Sequence, residues 1–151
     1  MLLLAITTAI AGVFFGAALY VNLVEHPARV SCGVAAAVQE FRPSYRRGAM
    51  MQGTLSAAGC VLGLIAAWQL SDLHIAANAV FLGLPIPVTL LFIAPINAQL
   101  LSPKLDTATA QAAELLARWN RLHWIRTILG GLAFVLFIFR LVVHGAISAG
   151  T

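Results

Sequence analysis

The sequence predicts an all-α membrane protein, a four-helix transmembrane bundle with two amphipathic helical segments on the cytoplasmic side. Three observations carry that prediction. The 151-residue chain is 61% hydrophobic and only 9% charged, whereas ordinary soluble domains carry about 25% charged residues. It contains four long apolar runs, at residues 2–24, 49–70, 75–96 and 125–143, each near the roughly 20 residues that cross a bilayer as a helix. The runs lack the alternation of a membrane barrel strand, so helices are the way to satisfy the backbone in lipid. The chain therefore reads as one integral membrane domain, with little outside the bilayer.

The first run has no basic residue ahead of it and continues into Asn22-Leu23-Val24-Glu25-His26-Pro27, so it reads as a retained span rather than a signal peptide. Gly12 and Gly16 form a small-x-x-x-small pair suited to close helix approach. Asn22 and His26, four apart, share a face with Glu25 beside them, and Pro27 is expected to stop or bend the helix. Val30, Val34, Val38 and Phe41 then trace the narrow apolar stripe of a helix lying along the membrane surface, ended by Pro43. Tyr45-Arg46-Arg47 anchors the start of the second run at the interface. In that run Gly53, Ser56, Gly59 and Gly63 make a smooth face for a neighbouring helix or a flat ligand.

Pro85, Pro87 and Pro95 interrupt the third run, and the Thr89 hydroxyl is placed to satisfy loosened backbone. Asp106 and Thr107 offer a helix cap, and the stripe Ala112, Leu115, Leu116, Trp119 and Leu122 leads without Gly or Pro into the fourth run. Span, polar end, amphipathic helix and basic anchor occur twice. Val13-Phe14-Phe15-Gly16 and Val80-Phe81-Leu82-Gly83 align at an offset of 67, which suggests a duplicated two-span unit.

Counting Arg126 at the edge of span four, eight of the nine Lys and Arg residues fall between spans one and two or between spans three and four, with Arg140 the exception. Positive loops stay on the cytoplasmic side, so both termini are expected to be non-cytoplasmic. The net charge of +4 is thus topological and gives no reason to invoke nucleic acid. Cys32 and Cys60 lack metal or redox spacing and read as free thiols.

This topology brings Asn22, Glu25, His26, Tyr45, Arg46, Asn97, Trp119, His123 and Arg126 to one level at the cytoplasmic end. Trp119, His123 and Arg126 share a helix face. His26 and His123 are candidate general bases. Arg126 suits an enolate or phenolate oxygen, or else a pairing with Glu25. His26, His123 and Glu25 are also candidate metal ligands, and one histidine could ligate a haem. At the opposite end Asp72, His74, Arg140 and His144 read as headgroup contacts.

The residues Gly16 to Pro27, Arg46-Arg47-Gly48-Ala49-Met50, Pro87-Val88-Thr89 with Pro95-Ile96-Asn97, and Trp119-Asn120-Arg121-Leu122-His123-Trp124-Ile125-Arg126 carry a resemblance. The chain resembles the anthrone oxygenase-like family of small four-span membrane proteins, whose bacterial members are mostly of unknown function. The resemblance implies a multi-pass protein of a bacterial inner membrane that oxidises a tricyclic anthrone with O2 and has no obvious organic cofactor. It further implies His123 or His26 as base, Arg126 and Asn97 as oxyanion partners, and Trp119 as a stacking wall. Asn22, Glu25 and Tyr45 complete the expected substrate contacts. The expected partners are the lipid bilayer and a lipophilic small molecule, and the small-residue faces leave room for a homodimer. The competing expectation is a non-catalytic binding or transport-accessory protein, or a haem or metal protein.

Overall fold

The computed structural model describes the backbone of residues 1–149 and the side chains of residues 1–146, and it is all-helical there. Four helical stretches are long and apolar enough to cross a membrane: Leu2–Ser31, Val34–Leu70, Leu73–Leu100 and Ala110–Ala146. The first comprises α1 (Leu2–Tyr20), a π-helical turn (Val21–Glu25) and α2 (His26–Ser31); the second is α3 (Val34–Leu70). The third comprises α4 (Leu73–Gly83), α5 (Pro85–Val88), a second π-helical turn (Thr89–Ile93) and α6 (Ala94–Leu100); the fourth is α7 (Ala110–Ala149). In the up-down bundle α1 packs against α3 and α7, and α4 packs against the same two helices from the other side.

The helical interfaces depend on missing side chains. A Cβ at Gly59 would lie 2.4 Å from Leu82, and one at Gly63 would lie 2.7 Å from Ala79. The smooth face of α3 is therefore filled by α4 from Ser56 to Gly63, while Gly53 faces open space, and Ser56 donates a 2.6 Å hydrogen bond to the Leu82 carbonyl across it. Phe14 fills the equivalent notch at Gly130, where a Cβ would meet its ring at 2.5 Å. Gly12 packs against Phe134 in the same way, while Gly16 faces open space.

Prolines do not end helices where the sequence suggests. Pro27 and Pro95 each follow a π turn, and the residue before each proline bonds five residues back: His26 N–H to the Val21 carbonyl, and Ala94 N–H to the Thr89 carbonyl. A proline ring crowds the carbonyl four residues earlier, and the wider turn relieves that clash while the helix continues. The spacing of inward residues lengthens accordingly, to Ala18, Asn22 and His26 in one span and to Pro85, Thr89 and Ile93 in the other. The shared order of helix, π turn and proline-led helix repeats at an offset of 68, which strengthens the case for a duplicated unit. The Thr89 hydroxyl donates at 2.7 Å to the Pro85 carbonyl, which already accepts from Thr89 N–H, and not to the Gly83 carbonyl that Pro87 deprives of a donor.

The expected surface helix ended by Pro43 is also corrected. Pro43 lies inside α3, and residues from Val34 onward are continuous with span two. Pro43 and Gln39 are both exposed, so the carbonyl deprived of a donor is solvated. The real break is at Gly33, whose φ of +95° favours glycine. Val38 and Phe41 consequently face the bundle and are fully buried. The helix expected to start at Asp106 and Thr107 starts at Ala110, where the Thr109 hydroxyl accepts from Ala112 N–H at 3.3 Å. Arg42 ties the two extensions together by donating to the Ser102 carbonyl at 2.9 Å.

Two apolar clusters result. One holds Leu4, Phe14, Ile75, Leu82 and Phe137; the other holds Val38, Phe41, Ile93, Leu100, Leu116 and Trp119 at the basic end. Asn22, Gln52, His123, Arg126 and Thr127 form a buried polar layer, and Asn97 is buried within the second cluster beside Trp119.

At the far end the headgroup reading is also corrected. Asp72 is buried, accepts from the backbone N–H of His74 and Ile75, and pairs with Arg140 and with His144 at 2.8 Å. Burial alone would raise this carboxyl, but the hydrogen bonds from His144, Arg140 and the two backbone amides prevail and hold it at about 2. His74 is exposed. Cys32 and Cys60 are free thiols.

Candidate active site

The polar layer borders a cavity of about 450 Å³ between α1, the first π turn, α3 and α7. Trp119, His123 and Arg126 form one wall, as their spacing predicts; Phe41, Tyr45 and Gln52 come from α3, and Ala17, Glu25 and Arg29 from the first span. Tyr20 and Met51 also line the cavity and are 55% and 48% exposed, so its mouth is on the outer surface between spans one and two. Tyr20 lies 18 residues beyond Leu2, about 27 Å along the helix, near the far edge of a bilayer's hydrocarbon.

The aromatic wall is built on Trp119. Its indole stacks on His123 with centroids 4.8 Å apart and on His26 at 6.0 Å, and it meets Phe41 edge-on at 5.2 Å. Tyr45 stacks on Phe41 at 5.5 Å. Trp119 Nε1 donates to Asn97 Oδ1 at 2.9 Å, which locks the ring.

His123 is 2% exposed and its orientation is fixed by span one. Asn22 Nδ2 donates to Asn120 Oδ1 at 2.8 Å and lies 3.4 Å from the Asn120 carbonyl, so the other amide atom facing His123 is the oxygen. That Oδ1 accepts from Thr127 Oγ1 at 2.5 Å and sits 2.9 Å from His123 Nδ1. An oxygen can only accept here, so Nδ1 carries the proton, and the neutral ring keeps its lone pair on Nε2. Nε2 makes no hydrogen bond among the described residues and is not sealed from the cavity that His123 lines.

Arg126 does not meet Glu25, contrary to one expectation. Its Nη2 donates to Gln52 Oε1 at 2.9 Å. Glu25 is held instead by Arg29, which also pairs with Glu40 at 2.8 Å and lies 5.7 Å over the Phe41 ring. Among the candidate ligands, His26 and His123 thus gather on one indole while Glu25 is committed elsewhere, and no set of three His, Cys, Asp or Glu side chains suited to a metal occurs among the described residues.

The candidates from sequence separate into layers. His123, Arg126, Trp119, Glu25 and Tyr45 line the cavity. Asn22, His26 and Asn97 are buried behind that lining, where Asn22 holds His123 and Asn97 holds Trp119. Arg46 is exposed. Sequence reasoning missed Gln52, Thr127 and Arg29. Thr127 sits one turn from His123 and Arg29 one turn from Glu25, and that spacing was the available signal.

Fold and site together define a small four-span helical membrane protein with an aromatic, histidine-bearing cavity near one edge of the bilayer. The family model described as Anthrone oxygenase matches residues 41–136, and the chain belongs to that family. The matched region holds the α3 and α7 walls of the cavity, while Asn22, Glu25 and Arg29 precede it. No curated protein and no solved structure matches the chain.

Proposed function

We propose that the cavity is the active centre of a membrane-embedded oxygenase that oxidises a lipophilic aromatic molecule of anthrone or phenol type with O2. The observation that carries this reading is His123, an imidazole with Nδ1–H held by Asn22 and Nε2 presented to an aromatic-walled cavity. Nε2 takes a proton from the acidic ring methylene, and the remaining electron pair spreads through the ring onto its oxygen. One electron passes to O2, and the resulting superoxide and ring radical combine to form the C–O bond of a peroxide. The peroxide is protonated by the imidazolium. Loss of the second methylene proton, with cleavage of the O–O bond, leaves a carbonyl and releases water. The substrate loses two hydrogens and gains one oxygen atom, and O2 is the co-substrate. Trp119 supplies a face for the flat ring. With the basic loops cytoplasmic, the site lies at the inner leaflet.

The test is His123→Gln, whose amide can still donate to Asn22 but cannot act as base. Oxygen uptake with anthrone as probe is expected to fall by about 100-fold or more, with anthraquinone as the wild-type product. Unchanged uptake in the variant would remove His123 as base. Retained probe binding with no turnover in the wild type would assign the cavity to a binding protein.

A further inference from the structure

We infer that the ligand of this cavity is held as an anion: an acidic phenol or enol whose ionised oxygen sits against Arg126 and Gln52. The inference deepens the oxygenase reading by naming its substrate class. It starts from a charge inventory of the whole chain, which has five acidic side chains. Glu25 and Glu40 are both on Arg29, and Asp72 is at the opposite end on Arg140 and His144. Asp106 and Glu114 are exposed. The Glu25–Arg29–Glu40 group keeps a net charge of −1 and lines the same cavity, but among the described residues no carboxylate pairs with Arg126, which is only 6% exposed.

A guanidinium inside a membrane bundle is expensive to keep unless an anion or a polar cavity meets it. Arg126 has a single neutral partner, Gln52 Oε1, and its Nε is buried without any. Arg126 Nη1 and Gln52 Nε2 make no hydrogen bonds among the described residues, neither is sealed off, and both residues line the cavity. Two donors and a guanidinium with no anion in contact therefore line the same cavity as the nitrogen that accepts a proton. The other ionisable groups around the cavity are Arg29 with its two glutamates, exposed Arg47, Tyr45 and His123, with His26 behind Trp119. None of them makes an ion pair with Arg126 among the described residues. The planar fork of Arg126 suits an oxygen that already bears charge, and such an ionised ring is the electron-rich species that O2 oxidises.

The test uses the purified full chain in detergent without oxygen, and alizarin, whose neutral and ionised forms differ in colour. Bound to the wild type, the dye is expected to ionise at least about one pH unit below its value in empty micelles, a roughly tenfold shift in the ionised-to-neutral ratio. Arg126→Gln is expected to abolish the shift and Arg126→Lys to keep part of it. Alizarin dimethyl ether is expected to compete at least about tenfold more weakly. A wild-type dye that titrates as in empty micelles overturns the inference, whether or not Arg126→Gln folds. Equal binding of the ether, or displacement of the dye by phosphatidylglycerol in place of phosphatidylcholine, overturns it as well. The last result would assign Arg126 to a lipid headgroup. Because no turnover is measured, a bound phenolate in a protein that consumes no oxygen supports this inference and removes the oxygenase reading alone.

Discussion

Replacing Asn22 by leucine tests how far the base depends on a helix at the other end of the sequence. The two side chains are similar in size, so packing is nearly kept while every hydrogen bond is lost. Asn120 is half-buried and can turn to solvent, and Thr127 retains the His123 carbonyl 3.4 Å away. The donor left stranded is His123 Nδ1–H, in a side chain 2% exposed. Stranding a buried donor costs about 1–3 kcal/mol, and a thermal melt in detergent should register that loss. The bond also selects the tautomer. If it contributes about 1.4 kcal/mol, its removal changes the ratio of Nδ1–H to Nε2–H rings by about tenfold. A proton on Nε2 makes that nitrogen a donor toward the cavity, and turnover should fall by about tenfold or more. Asn22→Asp restores the acceptor and should recover much of the rate. Oxygen uptake with anthrone in nanodiscs gives the rate, and nitrogen-15 spectra of labelled histidine give the tautomer. A leucine variant with unchanged His123 nitrogens and wild-type uptake would refute the assignment of Asn22.

Two further outcomes concern the scaffold. Gly130→Ala forces a Cβ to within 2.5 Å of the Phe14 ring, so it should destabilise the α1–α7 contact by about 1–3 kcal/mol; Gly16→Ala, with nothing within 4 Å, is the matched control and should leave the melt unchanged. The Asp72 carboxyl is held at about 2 against an ordinary 3.8, so the stability it adds is complete above about pH 4 and is lost as pH falls toward 2; melts across that range should show the loss in the wild type and not in Asp72→Asn.

The four spans were legible because burial in lipid demands long apolar runs, and composition reports those directly. The shared face of Trp119, His123 and Arg126 was legible for the same local reason, since four and three residues along a helix bring side chains together. What stayed hidden depends on backbone detail or on distant partners. Pro27 and Pro43 look like stops, yet a π turn absorbs one and solvent absorbs the other, while Gly33 breaks the chain with no hydropathy signal. Asn22 reaches His123 across 101 residues of sequence, a contact no periodicity encodes. Arg29 was read for the sidedness of its charge, but a guanidinium closing over two glutamates is a structural clamp rather than a loop charge.

The mouth framed by Tyr20 and Met51 changes what concentration means for this protein. If the proposed reactant is lipophilic, it reaches that mouth out of the acyl chains, and its availability would be set by its mole fraction in the surrounding lipid and only indirectly by how much was added to the buffer. Enlarging the lipid pool at constant protein and reactant dilutes the reactant without changing the volume of the sample. On the proposed function, occupancy of the chamber would follow the two-dimensional crowd around the bundle, and a homologous series of reactants would be ranked by partitioning before it is ranked by fit.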